Sequence, residues 1–543
     1  MIMPLYSLLI LELTSGILLA LSVPNELLQY GSFILGMIAL IPHFVALEKS
    51  KNLKQAVILC FIQSLTAHLL SSYWLTFSKE FALFTLGASA LGTAVLHSFF
   101  APLFRLPSYI KSFSNSDNSP VIEFLHSNTF KAIWLASVYT VWEFVKSSGY
   151  LAYPWGTIPM CAYSQKLITQ IADITGVRGV TFLISYFASS MTFLLLDYLK
   201  YSEKEIFGRN KATFSSVLLL FTLSTVYGLF QYTIKRTPIK HINAILIQQN
   251  YDPWKQPDDD QTIYDSQRLT LKGVEELQNE GKKPDLVVWS EGVLHYPFPQ
   301  GSDVHYRFYP ELNPLLPFLA QINAPTIIGA PYCHNFEERK FSNAAIIFNS
   351  NGEYKDYYAK MHLVPFAEHI PFSENAVLRS VLQKIVGFVV GWVPGKEFKT
   401  FEIPLSDYPG ESAVISTPLC FEDAFGNIFA GLKKNGTEVF VNMTDDSWSQ
   451  KKSAEYQHFV IAWYRAIEFR TTLVRSTNSG CTIVEDPSGH VIYSLPLFVQ
   501  DELSCSIPVY RNFLTFYAIF GEWFCFLLIC FICLTAIYLF LYR

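Results

Sequence analysis

The chain has 543 residues, of which 51% are hydrophobic and only 16% are charged. Soluble globular chains carry about 25% charged residues, so this composition does not fit an ordinary soluble protein. The net charge of −5 argues against the basic surface that nucleic acids need, and we expect no nucleic-acid partner.

The deficit of charge is concentrated in the first 235 residues and the last 30. A transmembrane helix needs about 20 mostly apolar residues. Hydropathy predicts seven such helices before a water-side domain and one after it. The predicted spans are 5–22, 29–47, 55–77, 82–104, 131–147, 178–198, 213–233 and 514–541.

Three regions follow from this pattern. Residues 1–235 are predicted to form a seven-helix transmembrane domain, residues 236–510 a catalytic domain, and residues 511–543 a C-terminal transmembrane helix. Lysine and arginine are concentrated in the loops after the even-numbered spans, which predicts cytoplasmic termini and a large domain outside the cytoplasm. The basic residues at 235–240 argue the other way, but large translocated domains obey this rule poorly.

The water-side region alternates short apolar runs with helical patterns near 263–280 and 453–471, which favours an α/β domain with a largely buried sheet. The predicted strands are Asn243–Gln248, Leu286–Trp289, Thr326–Gly329, Ala344–Phe348, Ala413–Thr417 and Val439–Asn442. None of the cysteines in this region forms a CxxC pair, so we expect no metal, no cofactor and no disulfide framework.

Three apolar segments of this region each lead to a titratable residue, namely Glu291, Lys360 and Cys420. Strand ends are where α/β folds place active sites. A thiol with a pKa near 8.5 is mostly protonated at neutral pH, so a cysteine nucleophile needs a base and a nearby cation. Glu291 can take the thiol proton and Lys360 can stabilise a developing oxyanion.

In this order and context, the three residues look like the catalytic triad of the nitrilase (carbon–nitrogen hydrolase) superfamily. A nitrilase-like domain after seven spans and before a last one resembles the apolipoprotein N-acyltransferases of Gram-negative bacteria, and the resemblance covers nearly the whole chain. The further motifs are Lys360-Met-His-Leu-Val-Pro-Phe-Ala-Glu368, Arg475-Ser-Thr-Asn-Ser-Gly480, Tyr153-Pro-Trp with Tyr163-Ser-Gln165, and Gln249-Asn-Tyr-Asp-Pro-Trp254.

The resemblance implies a membrane α-helical bundle of eight transmembrane helices plus an α/β nitrilase-like αββα sandwich. It implies that a phospholipid, cleaved at its sn-1 ester, loads an acyl chain on Cys420 as a thioester. In a ping-pong reaction the chain then passes to the N-terminal cysteine amine of a diacylglyceryl apolipoprotein, the last step of bacterial lipoprotein maturation. The bilayer, the phospholipid donor and the diacylated acceptor are therefore the expected partners. We expect a monomer in the bacterial inner membrane with its catalytic domain on the periplasmic side.

The resemblance also assigns supporting residues. Glu368 and Glu422 match two further carboxylates of the family, and Trp254 stands at its functional tryptophan. The family commonly has tyrosine after the nucleophile, whereas this chain has Phe421. The role of a hydroxyl there does not carry over.

Two segments are candidates for admitting lipid. Residues 382–393 are apolar and glycine-punctuated yet too short to span a bilayer, and residues 295–310 are rich in aromatic residues and prolines. Our hypothesis is that both are mobile arms that enter the membrane interface, with Phe388 and Trp392 contacting lipid.

Two other functions remain open from the sequence. A membrane-tethered nitrilase-type amidase would use water as the acceptor, which the triad alone does not distinguish from an amine. A transporter or sensor would bind a ligand without catalysis, but the sequence has no evident repeat symmetry. Ionisable residues also occur in or near the predicted spans, and we interpret them as helix-packing or interfacial groups: Glu12, His68, His97, Glu143 and Glu522.

Overall fold

The computed structural model describes residues 3–77, 82–110, 120–252, 254–255, 258–369, 375, 377, 380 and 391–541. The chain divides into two compact units. The first unit comprises Met1–Ile234, Lys452–Val460 and Glu522–Arg543, and the second comprises Lys235–Lys451 and Ile461–Gly521. Residues 511–521 fall in the second unit, where the Thr515 hydroxyl donates to the Glu468 carbonyl and Tyr517 packs against Phe469.

The first unit is helical. Its α-helices are Leu5–Ser22, Phe33–Ala39, Ile41–Lys49, Leu53–Ser71, Ala82–Ser98, Ala101–Ile110, Pro120–His126, Asn128–Lys146, Ala172–Thr175, Val177–Tyr198, Glu203–Thr233 and Trp523–Leu541. Within the described residues, six stretches are long and apolar enough to cross a membrane. They are Leu5–Ser22, Leu53–Ser71, Thr85–Pro107, Val177–Tyr198, Glu203–Thr233 and Trp523–Leu541.

The other two predicted spans do not meet that description. The predicted span 29–47 consists of two helices of 7 and 9 residues that meet at Leu40, with Pro42 in the first turn of the second helix. Span 131–147 lies in a helix of 19 residues, but this helix carries Lys131, Glu143 and Lys146. The structure therefore supports six of the eight predicted spans.

The second unit contains twelve strands among its described residues. They are β1 (Lys240–Gln248), β2 (Leu286–Trp289), β3 (Thr326–Asn335), β4 (Lys340–Phe348), β5 (Tyr354–Ala359), β6 (Phe401–Pro404), β7 (Ser412–Ser416), β8 (Val439–Thr444), β9 (Thr472–Thr477), β10 (Ile483–Glu485), β11 (Val491–Ser494) and β12 (Asp501–Val509). All six strands predicted from the sequence are present. Helices occupy Asp259–Asn279, Ser302–Phe308, Leu315–Ile322, Gly426–Lys434 and Phe516–Phe520, and the helix Lys452–Phe469 belongs to this unit from Ile461 onward.

The strands form two six-stranded sheets, ordered β12-β1-β2-β3-β4-β5 and β11-β10-β9-β8-β7-β6. In the first sheet β1, β2 and β3 are parallel, and in the second β7, β8 and β9 are parallel. Both sheets therefore have a parallel centre with antiparallel strands outside it. Parallel centres of this kind are buried on both faces, and every residue of β2 and β8 is buried.

Helices and sheets are layered in the order expected of an α/β sandwich. The helix Asp259–Asn279 buries Ile263 and Leu269 in one core cluster with Ile245 of β1. On the other sheet, Phe440 of β8 packs against Phe429 of a covering helix, with ring centroids 4.6 Å apart. The two sheets touch where the Ser476 hydroxyl of β9 donates to the Val288 carbonyl of β2.

Candidate active site

Three chain segments that follow strands meet in the second unit. Glu291 comes two residues after β2, Lys360 directly follows β5, and Cys420 begins a 3-10 turn that runs from Cys420 to Ala424. Lys360 is 1% exposed and Glu291 is 6% exposed, whereas Cys420 keeps more exposure. The site therefore combines two buried charges with a cysteine that is less completely buried as a residue.

The ammonium of Lys360 lies between two carboxylates. Its Nζ is 3.0 Å from Oε1 of Glu291 and 2.9 Å from Oε1 of Glu368. The Asn343 amide donates to the same two oxygens, at 2.7 and 3.0 Å. Because every member of this group has a partner, the charges can be buried without isolation.

The second oxygen of each carboxylate is held by backbone. Oε2 of Glu291 accepts from the Asp445 amide at 3.0 Å, and Oε2 of Glu368 accepts from the Val364 amide at 2.8 Å. The sequence reasoning did not identify Asn343 or Asp445. Asp445 directly follows β8, so the rule that active-site residues follow strand ends, which identified Glu291, could also have identified Asp445. Asn343 lies inside β4, where this rule does not apply.

The surroundings set the charge states of the thiol and the amine. Burial raises the pKa of the Cys420 thiol well above its usual value, and the negative charge of Glu291 raises it further, while Lys360 opposes the shift. Burial opposes the charged form of Lys360, but the negative charges of Cys420 in its thiolate form, of Glu291 and of Glu368 outweigh it and raise the lysine pKa well above its usual value. The resting site thus contains a neutral thiol beside a permanent cation, so a base must remove the thiol proton during reaction.

The backbone at Cys420 is left-handed, with φ of 46°. A non-glycine residue is strained in that region, and such strain persists where the surrounding structure fixes it. The Asn442 amide contributes by donating to the carbonyls of Pro418 and Cys420, at 3.2 and 3.4 Å. Cys420 therefore occupies a turn that is tied to β8.

Glu422 is fully buried behind the turn. Its carboxylate accepts from the amide of Leu419 on its own turn and from the amide of Met361, at 2.7 and 2.6 Å. The amide of His362 and the hydroxyl of Tyr358 donate to it as well. Burial raises the pKa of Glu422 to about 7, although these backbone donors favour its ionised form.

Arg475 links the nucleophile turn to the loop after β8. Its guanidinium pairs with Asp423 through Nη1 and with Asp446 through Nη2, the latter at 3.1 Å. All three side chains are buried, so each charge depends on the others. The Arg475 motif that carried the family resemblance therefore positions the turn that holds Cys420.

Phe421, where the family pattern has tyrosine, is 4% exposed. Its ring packs edge-on against Phe425, 4.8 Å between centroids, and lies 5.4 Å from the ring of His362. His362 in turn stacks on Phe425 at 3.8 Å. Burial and the nearby Lys360 lower the pKa of His362 to about 4, so this aromatic cluster is uncharged at neutral pH.

Trp254 is half-buried, and its indole Nε1 donates to the Trp448 carbonyl at 2.6 Å. Nearby, the Tyr251 hydroxyl lies 3.3 Å from Oδ2 of Asp445. The segment that contains Trp254 is thus attached to the loop whose Asp445 amide holds Glu291.

The two proposed lipid arms have different surroundings. Phe388 lies outside the described residues, whereas Trp392 is half-buried and donates its backbone N–H to the Glu368 carbonyl at 3.1 Å. In the segment 295–310, Phe298 and Tyr306 are fully buried and stack at 5.0 Å, which anchors it to the core. Val304 and Phe308 of the same segment remain 69% and 67% exposed.

Comparison with known proteins assigns both units to families. The family model described as apolipoprotein N-acyltransferase N-terminal domain matches residues 15–190, and the carbon-nitrogen hydrolase model matches residues 268–505. A protein of Treponema denticola named apolipoprotein N-acyltransferase 2 is 40% identical, covering 94% of this chain and 93% of its own length.

Two further relatives are similar over nearly their full length. Apolipoprotein N-acyltransferase 2 of Treponema pallidum is 35% identical, covering 94% of this chain and 91% of its own length. Apolipoprotein N-acyltransferase of Borreliella burgdorferi is 30% identical, covering 96% of this chain and 94% of its own length.

Proposed function

Because the chain belongs to the apolipoprotein N-acyltransferase family, we propose that it transfers a phospholipid acyl chain to the N-terminal cysteine amine of a diacylglyceryl apolipoprotein. The main support for this mechanism is the 3.0 Å contact between the buried Lys360 and Glu291. The charges of both residues also shift the pKa of the Cys420 thiol, in opposite directions. The reaction class is acyl transfer through a thioester.

In the first half-reaction Glu291 takes the thiol proton, and the Cys420 sulfur attacks the sn-1 ester carbonyl of the phospholipid. The oxyanion that forms is stabilised by the Lys360 ammonium and by a backbone N–H beside Cys420. When the C–O bond breaks, Glu291 returns its proton to the leaving alkoxide. The products are a lysophospholipid and a thioester on Cys420.

In the second half-reaction the lipoprotein amine attacks the thioester carbonyl. Glu291 accepts a proton from the amine, Lys360 again stabilises the oxyanion, and the C–S bond breaks. The proton held by Glu291 then restores the thiol of Cys420. Because the first product leaves before the second substrate reacts, the kinetics are ping-pong.

We assign supporting roles to three further residues. Glu368 shares Lys360 with Glu291 and orients the ammonium. Glu422 fixes the backbone of the nucleophile turn relative to the segment that follows Lys360. Trp254 holds the loop that contains Trp448 and thereby shapes the approach of substrate.

We also propose that the first unit, whose last helix is Trp523–Leu541, spans the bacterial inner membrane eight times, with the second unit on the periplasmic side. The basic loops after the even-numbered spans support this orientation. The two lipid substrates explain why such an active site belongs to a membrane protein. The exposed Val304 and Phe308 support a lipid-facing role for their segment.

Mass spectrometry of the full chain in detergent tests this function. Incubation with phospholipid should add one acyl chain to Cys420 and none to a Cys420→Ala variant. A diacylated lipopeptide with a free N-terminal amine should discharge the adduct and become N-acylated. Discharge by water alone would identify an amidase-type hydrolase instead, and the absence of any adduct would reject the thioester mechanism.

A further inference from the structure

The first unit contains a cluster of metal-ligating side chains away from the catalytic residues. One ring nitrogen of His43, one of His97 and the Sγ of Cys60 all lie within 4.8 Å of one another. All three residues are fully buried, as is Glu12 beside them. They come from four different helices, namely Leu5–Ser22, Ile41–Lys49, Leu53–Ser71 and Ala82–Ser98. We propose that this cluster binds one Zn²⁺ ion through His43, Cys60 and His97.

The hydrogen bonds of the two histidines leave one nitrogen of each ring for a ligand. Nδ1 of His43 lies 2.7 Å from Oε2 of Glu12, and Nδ1 of His97 lies 3.1 Å from the Cys60 carbonyl. Nε2 of both rings has no hydrogen-bond partner among the residues that the structure describes. Each ring therefore keeps one buried nitrogen that is available to bind a metal ion.

This arrangement matches the surroundings of protein-bound zinc. Histidines that ligate a metal donate their other ring N–H to a carboxylate or a backbone carbonyl, which fixes the tautomer and the ring orientation. Here His43 has the carboxylate of Glu12 and His97 has the carbonyl of Cys60. Imidazole and thiolate are also the ligand types that zinc prefers.

The distances fit after small movements. Zinc–nitrogen and zinc–sulfur bonds of about 2.0–2.3 Å at tetrahedral angles place ligand atoms about 3.5 Å apart. One ring nitrogen of each histidine and the cysteine sulfur are at most 4.8 Å apart, so the ligand atoms would have to approach by about an ångström to reach that spacing. The ring centroids of His43 and His97 are already 5.3 Å apart, close to the separation of two imidazoles on one ion.

Charge balance favours a divalent ion in this apolar setting. Without metal the site is neutral when Cys60 is a thiol and the Glu12–His43 pair retains one shared proton. Binding of Zn²⁺ releases both of these protons, leaving a thiolate, a carboxylate and two neutral imidazoles around the ion. The net charge is zero before and after, so binding adds no uncompensated charge to the interior. A monovalent cation would leave one negative charge unbalanced.

Such an ion would connect three separate helices of the first unit. His43 lies on the short helix Ile41–Lys49, whose 9 residues cover only part of a membrane span. A bond through zinc to Cys60 and His97 would fix this helix to two long neighbours. The proposed role is therefore structural and is independent of the acyl-transfer chemistry.

Metal analysis of the full chain, purified in detergent without a polyhistidine tag, tests the proposal. After loading with Zn²⁺ and removal of excess, the wild-type chain should retain one zinc per chain. Cys60→Ala and His97→Gln should each bind zinc at least 100-fold more weakly, and Glu12→Gln should weaken binding about 10- to 100-fold. Cys161→Ala, which removes another buried cysteine of the same unit, should retain the full zinc content.

Cobalt substitution gives a readout that does not depend on the folding of a variant. Wild-type chain loaded with Co²⁺ should show the thiolate-to-metal charge-transfer band together with visible Co²⁺ bands, and Cys161→Ala should show the same spectrum. Titration of the Co²⁺-loaded chain with Zn²⁺ should remove these bands without proton release, whereas Zn²⁺ binding to the metal-free chain should release about two protons per ion. Wild-type chain that binds neither metal, or unchanged zinc binding in Cys60→Ala and His97→Gln, would overturn the proposal.

Discussion

The hydroxyl of Tyr358 lies 3.1 and 3.0 Å from the two carboxylate oxygens of Glu422. Tyr358 stands two residues before Lys360, and Glu422 stands two residues after Cys420. The contact therefore links the strand that presents the cation to the turn that presents the nucleophile. Since Glu422 also binds the amides of Met361 and Leu419, one carboxylate fixes the spacing of two catalytic segments.

Replacing Glu422 by glutamine should loosen this link. A carboxamide has one acceptor oxygen, so its NH₂ group would face a backbone N–H of Leu419 or Met361. Loss of one such buried bond costs about 1–3 kcal/mol. We expect Glu422→Gln to lower the thermal midpoint and the rate of acyl loading together, whereas the exposed Glu402→Gln should change neither. Unchanged loading in Glu422→Gln would contradict the positioning role.

The pKa of Glu422 adds a dependence on pH. Burial raises this pKa from 4.5 to about 7, so the folded chain holds the proton more tightly than the unfolded chain. This difference in pKa adds to the free energy of unfolding, and its contribution is fully present below pH 4.5. The contribution is lost as the pH rises to about 7, and the total loss is roughly 3 kcal/mol at most. Thermal midpoints from pH 5 to 8 should show the advantage of wild type over Glu422→Gln shrinking with pH. A constant or growing advantage would contradict the raised pKa.

Lys360→Met should remove the cation that stabilises the oxyanion. Loss of one oxyanion donor costs about 2.7–4 kcal/mol, or about 10²–10³ in rate. The variant would also leave Glu291 and Glu368 buried without their shared cation, and stability should fall by about 3–5 kcal/mol. Lys355→Met, on the exposed side of β5, is the matched control. Acyl loading within tenfold of wild type in Lys360→Met would exclude this role.

The two carboxylates on Lys360 should differ in importance. Glu291→Gln removes the proposed base and should slow both half-reactions by about 10²–10⁴. Glu368→Gln keeps one oxygen for Lys360, and we expect a loss at least tenfold smaller than that of Glu291→Gln. Single-turnover loading and discharge, followed by mass spectrometry, measure the two steps separately. A larger loss in Glu368→Gln would assign the base to Glu368, and equal losses would contradict the distinct roles proposed for the two carboxylates.

Trp392→Asp tests the proposed lipid arm. A carboxylate that must enter the membrane interface should reduce acyl loading from phospholipid vesicles by about tenfold, since apolar residues favour that environment. Phe388→Asp should act in the same way. Loading from a short, water-soluble ester should remain near wild type in both variants, and Trp392→Phe should retain vesicle activity. An equal loss with the soluble ester would indicate distortion of the nearby Glu368 loop instead.

The sequence predicted the second unit well because its parallel strands are continuous apolar runs. All six predicted strands are present, and the two predicted helices occupy Asp259–Asn279 and Lys452–Phe469. The predicted strand Thr326–Gly329 was too short, because β3 extends to Asn335. Pro331 interrupts the apolar pattern in the sequence, while the backbone continues to pair with β4. Strand ends identified Glu291, but Asn343 could not be found because it lies inside β4.

The first unit was harder to predict. Hydropathy treats 29–47 as one apolar run, although the helix breaks at Leu40 just before Pro42. The sequence singled out His97 as an ionisable residue in a predicted span but did not group it with His43 and Cys60, because the three residues are 17 and 37 positions apart on separate helices. Metal motifs are recognised by short spacings, and helix packing alone brings these residues together.

The left-handed backbone of Cys420 has a consequence for evolution. Glycine adopts that conformation without strain, whereas alanine and cysteine do not. Cys420→Gly should therefore be more stable than Cys420→Ala by about 1 kcal/mol, in spite of glycine's greater freedom in the unfolded chain. Selection for stability alone would replace the nucleophile by glycine. The cysteine is therefore retained for activity, at a cost to the stability of the folded chain.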